Sequence, residues 1–244
     1  MTSSQLLFSG ADWPQINAFR KRIEDQEFQS VQAAAQRFAE LFVETFSSLV
    51  LARVFLVTPY AGIPAHDQAF VKKLVHADPL VTAHTPVLSL LGTAGREPAW
   101  NDRLRSVGHL AIPLLKSLVA DTPMIAKLLA DLELDHAELD DGFAATTIKM
   151  LGSTNGKFFV PNAGTAVDSR NRPVIPGRDF VKKYDVRTVF GMGGSYYDGM
   201  LAVVIFFTSE PLERSVVDRF ASFISTFKIV TTRLQQKKAI YALP

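Results

Sequence analysis

The feature that most constrains this chain is a pair of apolar runs near its end, Val186 to Gly191 and Met200 to Thr208, separated by a turn holding Asp198-Gly199. Glycine accepts positive φ at little cost, so Asp-Gly between two strand-forming runs suits a tight hairpin. The two strands are therefore expected to be antiparallel neighbours, and the second, apolar from Met200 through Phe207, reads as buried.

Four more segments read as strands. Arg53 to Thr58 (RVFLVT) is β-branched and apolar and ends at Pro59; Pro86 to Leu91, Val107 to Leu114 and Lys157 to Val160 complete a set of six. Helical spacing surrounds them. Asp12 to Asp25 sets Trp13, Ile16, Phe19 and Ile23 on one side, with Asp12 in the N-cap position ahead of Pro14. Gln26 to Leu51 carries a seam of Phe28, Val31, Ala35, Phe38, Phe42, Thr45 and Leu49, and predicts one long helix. Pro123 to Leu134 predicts a helix over the sheet, and Pro211 to Gln236 a broad-faced terminal helix. Pro161 to Tyr184 is rich in Pro, Gly, Asn, Asp and Arg and reads as a long loop with a helical turn at Arg178 to Lys183. There is no internal repeat and no convincing linker. The expected organisation is a helical segment over residues 1–52, an α/β core over 53–236 and a tail over 237–244.

Composition excludes several functions. With 48% apolar and 20% charged residues the chain has the makings of a sizeable core. A net charge of +2 without a dense basic run argues against nucleic acid as a partner. The absence of cysteine removes disulfides, thiolate metal sites, iron–sulfur clusters, cysteine nucleophiles and thioether-tethered cofactors. The N-terminus lacks a secretion signal and no segment is apolar for the ~20 residues that span a bilayer, so a cytoplasmic location without membrane contact is expected.

The stretch FVPNAGTAVDSRNRPVIPGRDFVKKYDVRTVFGMGG, continuing into LAVVIFF, together with the upstream TPVLSLLGTAGREPAWNDRLRSVGHLAIPL, resembles the GAF-type sensory regions at the front of some bacterial histidine kinases. There, too, an Ile-Pro loop precedes a Tyr-x-Val/Ile-Arg strand and a Gly-rich hairpin. The resemblance covers roughly Arg53 to Leu234. It implies an α+β fold: a GAF-like central antiparallel six-stranded sheet, long N- and C-terminal helices packed on one face, and loops with a short helix forming a pocket on the other. It also implies a cytoplasmic signal-transduction module, not an enzyme, that binds a small ligand or partner protein and signals through its terminal helices. No cofactor follows from it, because the Asn-Lys and Phe-Asp-Glu signature of cyclic-nucleotide binders and the bilin-tethering cysteine are both missing. After Leu234 only QQKKAIYALP remains, without a phosphoacceptor helix, ATP-binding region or cyclase motif, so either output is expected to pass through a partner or the chain is a stand-alone receiver of a signal.

Candidate pocket residues follow from local chemistry. Trp100, Asn101 and Asp102 fall in EPAWNDRLR, which combines an aromatic, an amide, a carboxylate and two guanidinium groups and suits the rim of a ligand site. His109 lies within VGHLAIPL; Arg187 and Tyr196, near Tyr184 and Tyr197, could bond to and stack on a planar ligand. No metal is expected, since His66, His76, His84 and His136 show no ligand spacing. His66-Asp67 resembles half of a catalytic pair, but no Gly-x-Ser-x-Gly elbow accompanies it. Gly191-Met192-Gly193-Gly194 invites a phosphate-loop reading, which the strand that follows it contradicts. The apolar surplus of the two long helices predicts a homodimer, with Phe28, Val31, Phe38, Phe42, Phe220 and Phe227 at the interface. Two alternatives stay open: a GAF-like enzyme using Asp102, His109 and Arg187, and a ligand-free interaction protein whose pocket is filled by Phe158 and Phe206.

Overall fold

The strand β1 (Leu49–Pro59) organises the molecule. A computed structural model describes residues 5–76, 81–133 and 156–242. In it β1 pairs on one side with β2 (Pro86–Gly95) and on the other with β6 (Leu201–Thr208). β3 (Ala111–Pro113), β4 (Gly156–Val160) and β5 (Thr188–Ser195) complete a six-stranded sheet of order β3-β2-β1-β6-β5-β4, antiparallel at every pair. The hairpin is as expected: Tyr196 N–H donates to Met200 O over 2.7 Å, and Gly199 takes φ 89°.

Alternation, interrupted by irregularities at Leu49/Leu51 and Val54/Phe55 of β1, divides the sheet into two faces. Ala52, Val54 and Leu56 of β1 join Phe190, Met192, Val204 and Phe206 beneath a helical layer. That layer comprises α1 (Trp13–Glu24), α2 (Val31–Thr45), α7 (Arg214–Phe220) and α8 (Phe223–Gln236). The layer is held by phenylalanine. Phe42 meets Phe206 at 4.4 Å between centroids, Phe38 meets Phe227 at 5.4 Å and Phe19 meets Phe223 at 5.3 Å. Gly92 is required here, because a Cβ on it would lie 2.3 Å from the backbone carbonyl of Ala35 in α2. Helix and strand backbones touch at that point. The other face, with Leu51, Phe55, Val57, Val203, Ile205 and Phe207, turns toward α4 (Lys116–Asp121), α5 (Pro123–Asp131) and α6 (Arg178–Lys183).

Several sequence expectations need correction. The helix predicted over Gln26 to Leu51 is α2 alone. It starts at Ser30, whose hydroxyl accepts from Ala33 N–H over 3.1 Å, and Leu49 to Leu51 belong to β1. An apolar run satisfies either period, and pairing to both β2 and β6 wins. The expected strand at Val107 shrinks to β3, because Gly108 at φ 80° turns the chain. The terminal helix breaks after Phe220 into α7 and α8. α3 (Ala65–Leu74) was not expected: its inward side carries Asp67 beside Val71, so it shows no apolar period.

Of the residues expected at a dimer interface, Val31, Phe38, Phe42, Phe220 and Phe227 are buried in the subunit's own core, and Phe28 is half-buried against the same cluster. Most of the apolar surface of α2 and α8 is covered by the facing helices and by Phe8, Phe19 and Phe46 from the N-terminal half, while Ile229 of α8 stays exposed.

The chain ends fasten this layer. Glu210 accepts hydrogen bonds from Phe8 N–H (2.8 Å), Ser9 N–H (3.1 Å) and Ser48 Oγ (2.5 Å). After α8 the chain reverses at Lys238 (φ 57°), and the carbonyls of Ala239 and Ile240 accept from Val31 and Gln32 N–H at 2.9 and 2.8 Å. The open first turn of α2 is thereby satisfied.

Candidate functional site

Alternation along β1 places Leu51, Arg53 and Phe55 on the face away from the helical layer, and these residues floor a cavity of about 750 Å³. Leu88 and Thr93 of β2 and Ile205 and Phe207 of β6 extend the floor. The roof is formed by Trp100, the loop from Arg105 to His109, Leu118, Met124, Ile125 and Leu128 of α4–α5, and the stretch from Ile175 to Tyr184.

An aromatic cluster makes one wall. Trp100 packs edge-on against Tyr184 (4.8 Å) and Phe180 (5.5 Å), and Phe180 reaches Phe207 on the floor at 5.5 Å. The turn carrying Trp100 is set by Asn101, whose Oδ1 accepts from Gly95 N–H over 2.8 Å. Tyr184 Oη donates to Glu97 Oε1 over 2.5 Å and Lys183 Nζ lies 3.6 Å from the same oxygen. The tyrosine hydrogen bond, then the lysine charge, hold the Glu97 carboxyl below its usual range. The next turn is anchored from outside the cavity: Arg103 donates through Nε to Leu90 O (2.6 Å) and pairs with the fully buried Asp67 of α3.

Two groups that line the cavity, His109 and Arg53, carry most of the chemistry. His109 Nδ1 lies 3.0 Å from Val107 O, which assigns the proton to Nδ1 and leaves Nε2 as an acceptor. His109 is an exposed residue of the roof loop, with its ring at the cavity. Partial desolvation by the surrounding protein, then the charge of Arg53, lower its pKa to about 4 against a weaker opposing effect of the Val107 carbonyl, so the ring is neutral near pH 7. The Arg53 guanidinium is desolvated and its pKa falls to about 10, leaving it charged. Its Nε is enclosed and, among the described residues, bonded to nothing; the Ser106 hydroxyl in the roof is in the same condition.

Of the six residues expected at the pocket, Trp100, Asp102 and His109 come together around the cavity. The other three do not. Asn101 fixes the turn. Arg187 pairs with Asp185 over 2.7 Å on the surface, and Tyr196 is buried under α8 on the opposite face, its hydroxyl 2.6 Å from Thr231 Oγ1. The set Asp102, His109 and Arg187 is thus no constellation. Phe206 faces the helical layer and cannot fill the cavity, whereas Phe158 does pack on the cavity side. Gly191 and Gly193 lie inside β5, where a Cβ would strike Val204 O at 2.3 Å or Leu132 Cδ1 at 2.8 Å, so they serve packing. Among the described residues no three His, Cys, Asp or Glu side chains cluster as a metal site, and no helix is long and apolar enough to cross a membrane.

Sequence reasoning missed Arg53, Ser106 and Phe180. For Arg53 the signal was present: one cation inside LVLARVFLVTP, an otherwise uncharged strand.

The antiparallel six-stranded sheet with helices over one face and a roofed cavity on the other is the α+β architecture expected from the sequence. No family model and no curated protein matches the chain. Among solved structures it is similar to the GAF domain of an Acinetobacter phosphoenolpyruvate-protein phosphotransferase, at 11% identity over 93% of this chain and 97% of that one, TM-score 0.48. It is also similar to the phycoerythrobilin-bound GAF domain of a cyanobacterial phytochrome, at 10% identity over 91% and 96%, TM-score 0.48.

Proposed function

We propose that the chain is a cytoplasmic sensory module whose cavity binds a small, mostly apolar molecule and whose helical layer passes that occupancy to a partner protein. The observation that carries this reading is the cavity itself: about 750 Å³ of space, apolar in most of its wall, with a few polar groups turned inward. That combination of size and lining is what small-molecule sites have. The route outward is short. Arg53 and Phe55 face the cavity while Ala52 and Val54, their neighbours in β1, lie under the helices, and β2 touches the α2 backbone at Gly92. A close-packed contact of this kind transmits displacement instead of absorbing it.

Catalysis is disfavoured by the loss of Arg187 from the site, which leaves Asp102 and His109 without the third group of the proposed enzyme. Native mass spectrometry of the purified protein, paired with thermal shift against a metabolite panel, tests the reading. A retained small-molecule mass, or stabilisation without turnover, is expected. A bare chain that no compound stabilises speaks against it. The same spectrum reports whether a homodimer forms, which would have to use surfaces other than the buried phenylalanine seam.

A further inference from the structure

We propose that Arg53 is the anion-recognising residue of the cavity and that the molecule bound there is an organic acid, one carboxylate on an apolar and at least partly aromatic body. This rests on the sensory reading above.

Arg53 sits in the middle of β1, between Leu51 and Phe55 on the same face and opposite Thr93 and Ile205 in the neighbouring strands. A structural arginine in such a place has a carboxylate or carbonyl for a partner. Arg103, one turn of the cavity roof away, shows the pattern with Asp67 and Leu90 O. Among the described residues Arg53 has neither. The acids lining the same cavity are placed elsewhere: Asp102 Oδ1 caps Leu104 N–H at 2.9 Å, and Asp179 lies exposed in the first turn of α6. Among the described residues the cavity therefore holds a charged guanidinium whose enclosed Nε has no acceptor, beside a neutral His109 and an orphan Ser106 hydroxyl. An uncompensated interior cation is unfavourable unless something that enters supplies the anion.

A carboxylate matches the guanidinium fork through two parallel N–H donors. Phosphate, carrying more charge near neutral pH, calls for more interior cations than one. The remaining cations of the lining, Arg105 and Lys183, are exposed, and Lys183 already lies 3.6 Å from Glu97. The Trp100, Phe180 and Tyr184 rings supply the wall for a flat apolar body.

The test compares 2-naphthoate with its neutral counterpart 2-naphthamide on the whole protein, by calorimetric titration and thermal shift, with inorganic phosphate as a third probe. Wild type should prefer the naphthoate by about tenfold or more, as a charge-assisted hydrogen-bonded pair gives. In Arg53→Met that preference should vanish while naphthamide binding persists. Without ligand, Arg53→Met should unfold no earlier than wild type, since it replaces an unpaired charge by an apolar chain; a structural arginine would give the opposite result, and Arg53→Gln repeats the comparison. Equal binding of both naphthalene compounds to wild type, a preference that survives in Arg53→Met, or saturation by phosphate overturns the inference and leaves the cavity reading standing. Binding of neither naphthalene compound overturns both.

Discussion

Replacing Gly92 with alanine probes whether the helical layer lies directly on the sheet. A Cβ at this position would come within 2.3 Å of Ala35 C and O and 2.4 Å of Gln36 N, all backbone atoms of α2. Carbon contacts are comfortable only beyond ~3.5 Å, so helix or strand must retreat by roughly 1 Å. The retreat loosens the ring contacts that α2 makes, including Phe42 with Phe206 at 4.4 Å. Overpacking of this kind costs about 1–3 kcal/mol and more when backbone must move, and we expect about 3 kcal/mol. For a chain of this length each kcal/mol is worth about 2–4 °C, giving a melting point lower by roughly 6–12 °C. Urea denaturation followed by circular dichroism reads the free energy, and calorimetry the temperature. Gly193→Ala is the control, because the added Cβ would meet only the flexible side-chain end of Leu132, at 2.8 and 3.0 Å, and Ala202 O at 3.5 Å. It should cost roughly 1 kcal/mol or less. If Gly92→Ala stays within about 0.5 kcal/mol of wild type, α2 does not rest on β2 and the packing described here is wrong.

Other consequences follow from buried charge. Asp67→Ala leaves Arg103 unpaired in the interior and should cost about 3–5 kcal/mol in urea denaturation, whereas the double replacement Asp67→Leu with Arg103→Met should recover much of it; an additive double mutant would refute the coupling. At Glu210, desolvation raises the carboxyl pKa, but the hydrogen bonds from Ser48, Ser9 and Phe8 prevail and hold it below its usual value. A depressed carboxyl stabilises above its unfolded pKa of ~4.3 and loses that contribution as pH falls through the folded value. Glu210→Gln should therefore lower stability at pH 7, by about 1 kcal/mol once solvent screening of this partly exposed carboxylate is allowed for, and by less in acid. His109 gives the same sign of pH dependence, because its folded pKa is also depressed. The unfolded chain takes up its proton near ~6.5, the folded one only near about 4. Between these values the unfolded state binds more protons, and stability falls as the solution is acidified. His109→Asn should flatten that part of the curve, and an NMR titration placing His109 at its ordinary value would refute the shift.

What the sequence revealed depended on whether local signals had competitors. Asp198-Gly199 between two strand-forming runs has one reading, and the hairpin formed as expected. The Asp12 cap held for the same reason, and Gln15 completes a reciprocal capping box with it. Leu49 to Leu51 fit both a helical seam and a strand, and only the pairing partners Gly95 and Thr208, distant in sequence, decide between them. α3 was hidden because its inward face combines an ion pair, Asp67 with Arg103, with the single buried apolar residue Val71, too little for an apolar period. The site suffered from a different ambiguity. Period-two alternation says that neighbouring residues face opposite ways but not which way the helices lie. Tyr196 shares its side with Phe190 and Met192 and therefore went under α8, away from the cavity. Arg53 went unnoticed because the strand was taken to begin there; four residues of β1 precede it, which puts the cation in the interior.

The most direct test of the central claim uses Trp100, since the other tryptophan, Trp13, is 55% exposed on α1. In a Trp13→Phe chain, the neutral fluorophore N-phenyl-1-naphthylamine should quench Trp100 by energy transfer, saturably and at one per chain, and Ile205→Phe on the cavity floor should weaken that response. Trp100 emission indifferent to the fluorophore, or a response that Ile205→Phe leaves unchanged, would contradict an open ligand cavity beneath that ring.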